Sequence, residues 1–172
     1  MKKLVPAVAL LLALTACSGG DDDTDSVGQA SPTPSSATSC PTGEPSKDLK
    51  SKPTVAFPAG TAVPTETTFT DVVVGTGPEA KAGSQVAVKY LGVLFADCQE
   101  FDSSWSRGND ETLPFTIGSG VIPGFTIGTT GMKVGGRRQV LIPAKDGYGD
   151  SGTGPIPPGA TLVFVIDLVS VA

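Results

Sequence analysis

The stretch that decides the fold is Gln-Val-Ala-Val-Lys-Tyr-Leu-Gly-Val-Leu-Phe, residues 85–95. Its side chains alternate in character. One face carries Val86, Val88 and Tyr90, and the other carries Gln85, Ala87, Lys89 and Leu91. A period of two residues is typical of a β-strand with one buried face. The stretch therefore predicts a half-buried strand.

Further apolar runs on both sides of this strand are separated by turns that contain Gly or Pro. They predict strands at 69–74, 137–142 and 161–169, and an edge strand at 54–57. Only residues 123–132 could form a helix, and their Thr and Ile residues are weak helix formers that need packing to hold them. The sum is an α+β domain, a small antiparallel sheet with one short helix.

The composition excludes several classes of function. The 172 residues contain no histidine, which removes Ser-His-Asp and Cys-His catalysis and zinc sites with His ligands. A formal net charge of -5 gives no electrostatic reason to bind nucleic acid. We expect neither a metal nor a cofactor.

The N-terminus has the pattern of an export signal. Two lysines precede an apolar run that is too short to span a membrane as a helix. Residues 14–17, Leu-Thr-Ala-Cys, resemble the bacterial lipobox, in which the cysteine is lipidated and becomes the mature N-terminus. We therefore expect a signal peptide at 1–16, lipidation at Cys17 and a lipid-anchored protein on the extracytoplasmic face of the cell membrane. An ordinary cleaved signal with a chance cysteine is the alternative.

Residues 17–52 are expected to form a flexible tether. The first part of this segment is rich in Ser, Thr, Pro and Asp and has almost no large apolar side chain to bury. The folded domain is expected at 53–172. Cys40 and Cys98 remain outside the lipobox. In an oxidising compartment they are expected to form a disulfide, with two free thiols as the alternative.

From about residue 69 to the end, the chain resembles the FKBP-type peptidyl-prolyl isomerases. The resemblance rests on an ordered series of segments. They are Val86–Gly92, Phe101–Ser104, Arg107, Phe115–Gly118, Val121–Gly124, Gly131–Arg138, Tyr148–Gly149, Ile156–Ala160 and Thr161–Phe164. It implies a five- to six-stranded antiparallel sheet wrapped around one short helix, with an aromatic pocket between them.

The resemblance also implies a set of site residues. The catalytic positions are Tyr90, Asp102, Tyr148 and Phe164, and the substrate-binding positions are Phe101, Arg107, Leu113, Val121, Ile122, Phe125 and Ile156. Phe125 stands where much of the family has Trp, and Leu113 aligns with an aromatic wall position. The single Trp, Trp105, is expected to be exposed at the pocket rim.

The implied roles of these residues are distinct. The proline ring would sit on Phe125, and Tyr148 and the Ile122 N–H would donate to substrate carbonyls. Asp102 would be hydrogen-bonded to Tyr90 and paired with Arg107. Without the resemblance, the aromatics read as core residues and the Asp102–Arg107 contact as a plain surface ion pair.

The expected function is isomerisation of X-Pro bonds in exported proteins, which assists their folding outside the membrane. The expected partners are proline-containing polypeptides and macrolides of the tacrolimus and rapamycin type, bound by a monomer. A low-activity binding or holdase module of the same fold is the first alternative. A surface adhesion or scaffold lipoprotein is the second.

Overall fold

The structure is a computed structural model that describes residues 40–108 and 111–172. The predicted signal peptide, Cys17 and residues 17–39 of the predicted tether lie outside the described residues. Within the described ranges, no helix is long and apolar enough to cross a membrane.

The domain is a six-stranded antiparallel sheet with one short helix. Its elements are β1 (Thr68–Val73), β2 (Gln85–Leu94), β3 (Glu100–Ser103), β4 (Leu113–Thr116), α1 (Pro123–Thr129), β5 (Arg137–Ile142) and β6 (Leu162–Val171). The sheet order is β1-β5-β6-β2-β3, and β4 pairs with the first half of β2. The predicted α+β class and its one short helix are confirmed.

The strand predicted at 54–57 is wrong. Phe57 makes only an isolated bridge with Thr42, in which the Phe57 N–H donates to the Pro41 carbonyl at 3.0 Å. Pro53 and Pro58 flank the segment and lack N–H donors, so it cannot extend a ladder. Residues 54–57 instead pack against the face of the sheet.

Helix α1 lies very close to strand β5. Gly124 and Gly128 face the sheet, and a Cβ atom at residue 128 would come within 2.6 Å of Val140 Cγ2. A Cβ atom at residue 124 would likewise collide with the Ile142 side chain. The two glycines therefore allow the helix backbone to pack directly on the side chains of β5.

Arg138 of β5 holds the C-terminal end of the helix. Its Nη1 donates to the carbonyl oxygens of Gly128 and Thr130, each at 3.1 Å. Its Nε donates to Asp71 of β1 at 2.7 Å. Because the last carbonyls of a helix lack intrahelical partners, Arg138 satisfies them and also neutralises part of the helix dipole.

The opposite face of the sheet is covered by residues 40–57, which we call the N-terminal strap. Its apolar contacts form a second core, separate from the one under α1, made of Val55, Phe57, Leu91, Val93, Phe95, Val163 and Val165. The buried amide of Gln139 exchanges hydrogen bonds with the backbone of Ala56. The strap is thus an integral layer of the domain.

The predicted tether therefore extends too far, because its last part, residues 40–52, packs against the domain. Cys40 and Cys98 form a disulfide with their Cα atoms 5.2 Å apart, which joins the strap to the turn between β2 and β3. The fully buried Arg137 guanidinium donates to the carbonyl oxygens of Ser46 and Asp48. These attachments use one cysteine and backbone carbonyls, so the polar composition of the segment gives no sign of them and predicts only a tether.

Replacing Gly128 by Ala should destabilise the domain by about 1–2 kcal/mol, because overpacking against Val140 outweighs the helix propensity that Ala gains over Gly. Urea unfolding measures this change. Ile127→Ala, at an exposed position of the same helix, is the control. A Gly128→Ala protein more stable than the wild type would contradict the close packing of α1 on β5.

Candidate active site

A cavity of about 390 Å³ opens between α1, the sheet and the loop that follows β5. Its lining residues are Tyr90, Phe101, Asp102, Leu113, Gly120, Val121, Ile122, Phe125, Tyr148, Thr153, Gly154, Pro155, Ile156 and Phe164. The structure therefore brings together every predicted catalytic and substrate-binding position except Arg107, which contacts the lining from outside.

The floor of the cavity is the ring of Phe125, which is only 3% exposed. Three rings surround it edge-on, with centroids 5.1 Å away for Phe164, 5.5 Å for Phe115 and 5.9 Å for Tyr90. Such edge-to-face pairs are favourable and restrict ring motion. The floor is therefore a fixed, apolar aromatic surface.

Gly92 allows two of the aromatic walls to meet. A Cβ atom at this position would lie 2.7 Å from the Phe101 ring and 2.9 Å from the Phe164 ring. Those rings pack edge-to-face with centroids 5.5 Å apart. Gly92 was not among the site residues predicted from the sequence. A glycine inside a strand pattern is the signal that could have identified it.

One wall of the cavity is polar. The Tyr90 hydroxyl donates to Asp102, and Arg107 donates to the Asp102 carboxylate at 2.5 Å and to the Tyr90 oxygen at 2.9 Å. Burial, reinforced by the hydrogen bond to Asp102, raises the pKa of the Tyr90 hydroxyl. The hydrogen bonds to Tyr90 and Asp102 raise the pKa of Arg107. The predicted Tyr90–Asp102–Arg107 contacts are all present.

The chain segment that carries this wall is fixed to β2. The Ser104 N–H donates to the Tyr90 carbonyl at 3.0 Å, and the Tyr90 N–H donates to Ser104 Oγ at 2.9 Å. The same hydrogen bonds hold the neighbouring Trp105 in a buried position, where its side chain is 8% exposed. The Lys89 ammonium lies 4.5 Å from the centroid of the Trp105 ring. The expectation of an exposed Trp105 at the pocket rim is therefore wrong.

The opposite wall comes from the loop between β5 and β6. Tyr148 is 38% exposed at the start of this loop, and Ile156 is buried. Thr153 and Ile156 exchange backbone hydrogen bonds of 2.9 and 2.8 Å around a turn in which Gly154 has φ +50°. Thr153, Gly154 and Pro155 were not predicted as pocket residues, although a Gly-Pro pair is a turn signal. Gly120 was not predicted either.

The arrangement offers an apolar aromatic floor, a hydrogen-bonded carboxylate and an exposed phenol. Among residues 40–108 and 111–172, no three His, Cys, Asp or Glu side chains cluster so that they could hold a metal ion.

The family profile for FKBP-type peptidyl-prolyl cis-trans isomerase matches residues 77–169. The chain belongs to this family. It is 50% identical over 123 residues to an FK506-binding protein of Streptomyces anulatus, and this aligned region covers 70% of this chain and 97% of that protein. It is 47% identical over 119 residues to a probable FK506-binding protein of Corynebacterium glutamicum, and this aligned region covers 69% of this chain and 98% of that protein.

Solved structures give the same result. The crystal structure of FkpA from Escherichia coli matches with a TM-score of 0.56 and 40% identity, over 61% of this chain and 47% of that one. The crystal structure of AtFKBP13 matches with a TM-score of 0.57 and 38% identity, over 62% of this chain and 93% of that one. The enzyme class predicted from the sequence, a peptidyl-prolyl cis-trans isomerase of the FKBP type, is confirmed.

The pKa of Tyr90 can be measured directly in Tyr148→Phe, because the chain has only two tyrosines. An ultraviolet pH titration should give a midpoint above 10.0, the ordinary value, because burial and Asp102 oppose ionisation. Adding Asp102→Asn should lower the midpoint. Since the folded-state pKa is raised, the stability that Tyr90 contributes is complete below pH 10 and is lost as pH rises through the raised value. An unshifted midpoint would contradict the buried Tyr90–Asp102 contact.

Proposed function

We propose that the cavity binds an X-Pro segment with the proline ring on Phe125 and accelerates rotation about the preceding peptide bond. One observation carries this proposal. The aromatic rings of Phe164, Phe115 and Tyr90 surround the buried Phe125 floor, and the cavity above that floor is also lined by Asp102. An apolar site of this size with a few polar groups at its edge fits one small cyclic side chain and its flanking amides.

The barrier to rotation arises from amide resonance and is about 18–20 kcal/mol for a peptide bond. A twisted amide loses its conjugation, so its carbonyl oxygen carries less negative charge and needs less solvation than the planar form. An apolar cavity therefore disfavours the planar amide relative to the twisted one. This is differential binding of the transition state, and it requires neither a nucleophile nor a general base.

The polar groups at the edge orient the substrate. We assign the Tyr148 hydroxyl and the Ile122 N–H as donors to two carbonyls of the bound segment that do not belong to the rotating bond. Asp102, held by Tyr90 and Arg107, faces the rotating carbonyl carbon. Ile156, buried in the wall opposite β3, contacts the residue that precedes proline.

The proposed setting is the extracytoplasmic face of the cell membrane, where a lipid on Cys17 anchors the chain and the domain assists the folding of exported proteins. Two features support it. Residues 14–17 match a lipobox, and the Cys40–Cys98 disulfide is typical of proteins in oxidising compartments. We also propose that the domain acts as a monomer, because one chain supplies every wall of the cavity.

The purified protein should accelerate cis-to-trans conversion of a short Leu-Pro-Phe peptide. A macrolide of the FK506 type should inhibit this acceleration. Phe125→Leu, which keeps an apolar floor but removes the aromatic packing, should lower kcat/KM by about tenfold. Val74→Leu, at an exposed position outside the cavity, is the control and should keep full activity. A folded wild-type protein without acceleration would exclude the isomerase and favour the binding or holdase module.

The lipid anchor is tested with Cys17→Ser in a bacterial host. The wild-type chain should incorporate labelled palmitate and sediment with membranes, whereas Cys17→Ser should do neither, because the thiol is the site of lipid attachment. Cys40→Ser, which leaves the lipobox intact, should behave as the wild type. Label in the Cys17→Ser protein would refute the anchor.

A further inference from the structure

The N-terminal strap is fixed to the sheet by one buried arginine. Arg137, which is 0% exposed, binds the Asp167 carboxylate through two nitrogens at 2.5 and 2.6 Å. Its remaining donors reach the carbonyl oxygens of Ser46 at 2.8 Å, Asp48 at 3.0 Å and Ser51 at 3.3 Å. The backbone is therefore fixed immediately before Lys52, and the buried Pro53 restricts it immediately after.

From this position, Lys52 reaches the strand and the loop that carry the polar wall. Its Nζ lies 2.7 Å from Glu100 Oε2 and 3.1 Å from Ser106 Oγ, and the Ser106 hydroxyl donates to Glu100 Oε1 at 2.8 Å. We call these three residues the strap triad. Burial opposes ionisation of Glu100, but the hydrogen bonds from Lys52 and Ser106 outweigh it and lower the pKa of that carboxyl.

The strap triad encloses the segment that builds the polar wall. Glu100 is the first residue of β3 and precedes Phe101 and Asp102, while Ser106 directly precedes Arg107. A turn over residues 104–107 is closed by a hydrogen bond from the Arg107 N–H to the Ser104 carbonyl at 3.1 Å. Lys52 thus ties together the two ends of the segment from which Asp102 and Arg107 project.

We propose that Lys52 is a positioning residue for the isomerase, which sets the geometry of the Asp102–Arg107 pair through Glu100 and Ser106 without lining the cavity itself. The strap then serves the active site as well as the second core. This inference rests on the proposed role of Asp102 in the site. It assigns a function to Lys52, which was predicted from the sequence to end a flexible tether.

The strap triad has little weight in overall stability. The side chains of Lys52 and Glu100 are 41% and 37% exposed, and ion pairs at such exposure contribute little to folding. Its loss should therefore change the local position of the wall rather than unfold the domain. A positioning role predicts lower kcat with nearly unchanged KM, because the aromatic floor that binds proline does not touch the triad.

The test compares Lys52→Met, Lys52→Arg and Glu100→Gln in the full chain on an X-Pro peptide. Lys52→Met and Glu100→Gln should each lower kcat by about three- to fivefold, and the double variant should lose no more than either single one. Lys52→Arg should restore most of the activity. Lys145→Met, which breaks the exposed Lys145–Glu66 pair outside the cavity, is the matched control and should keep wild-type kcat.

A second readout does not depend on turnover. The Arg107 Nη–H resonances, from the groups that donate to Asp102 and Tyr90, should be sharp in the wild type, Lys52→Arg and Lys145→Met, and broadened in Lys52→Met. The inference would be overturned if Lys52→Met and Lys145→Met had equal kcat values and equal Arg107 spectra. It would also be overturned if Lys52→Arg lost as much kcat as Lys52→Met. If the wild type has no activity, the proposed function fails on its own, and the Arg107 resonances alone decide whether Lys52 positions the wall.

Discussion

The pocket depends on the close approach of α1 to β5. Gly124 and Gly128 place the helix backbone against Ile142 and Val140, and Phe125 between them becomes the floor of the cavity. Larger residues at the two glycine positions would move the helix outward and separate Phe125 from the rings of Tyr90 and Phe164. A seven-residue helix with weak helix formers has little stability of its own, so its position is set by packing and by Arg138 at its C-terminal end.

The sheet connects two layers that serve one site. Successive residues of a strand point to opposite faces, so Arg138 binds the helix end while its neighbour Arg137 binds the strap. One layer supplies the floor of the cavity. The other holds β3 and the following loop from behind, through the strap triad and the Cys40–Cys98 disulfide at the β2–β3 turn. The polar wall therefore lies where both layers meet.

Strand β2 could be predicted from the sequence because its alternation is regular, and β6 because it is a long apolar run. Strands β3 and β4 have four residues each, which is too short for a periodic signal. Asp102 and Tyr148 were predicted only through the ordered family motifs, since a single polar residue in a four-residue strand or in a loop has no periodic pattern. The strap at 46–51 could not be predicted, because it binds Arg137 through backbone carbonyls, which every residue type carries.

We infer that an apolar cavity, rather than acid–base chemistry, lowers the barrier to rotation. Val121→Thr is the sharpest test, because this nearly isosteric change replaces one methyl group of the lining by a hydroxyl, which can stabilise the planar, charge-separated amide. We expect kcat to fall by about fivefold without an increase in KM. Val74→Thr, at a position 73% exposed, should leave kcat unchanged. An unchanged or higher kcat in a folded Val121→Thr protein would show that the apolar lining is not what lowers the barrier.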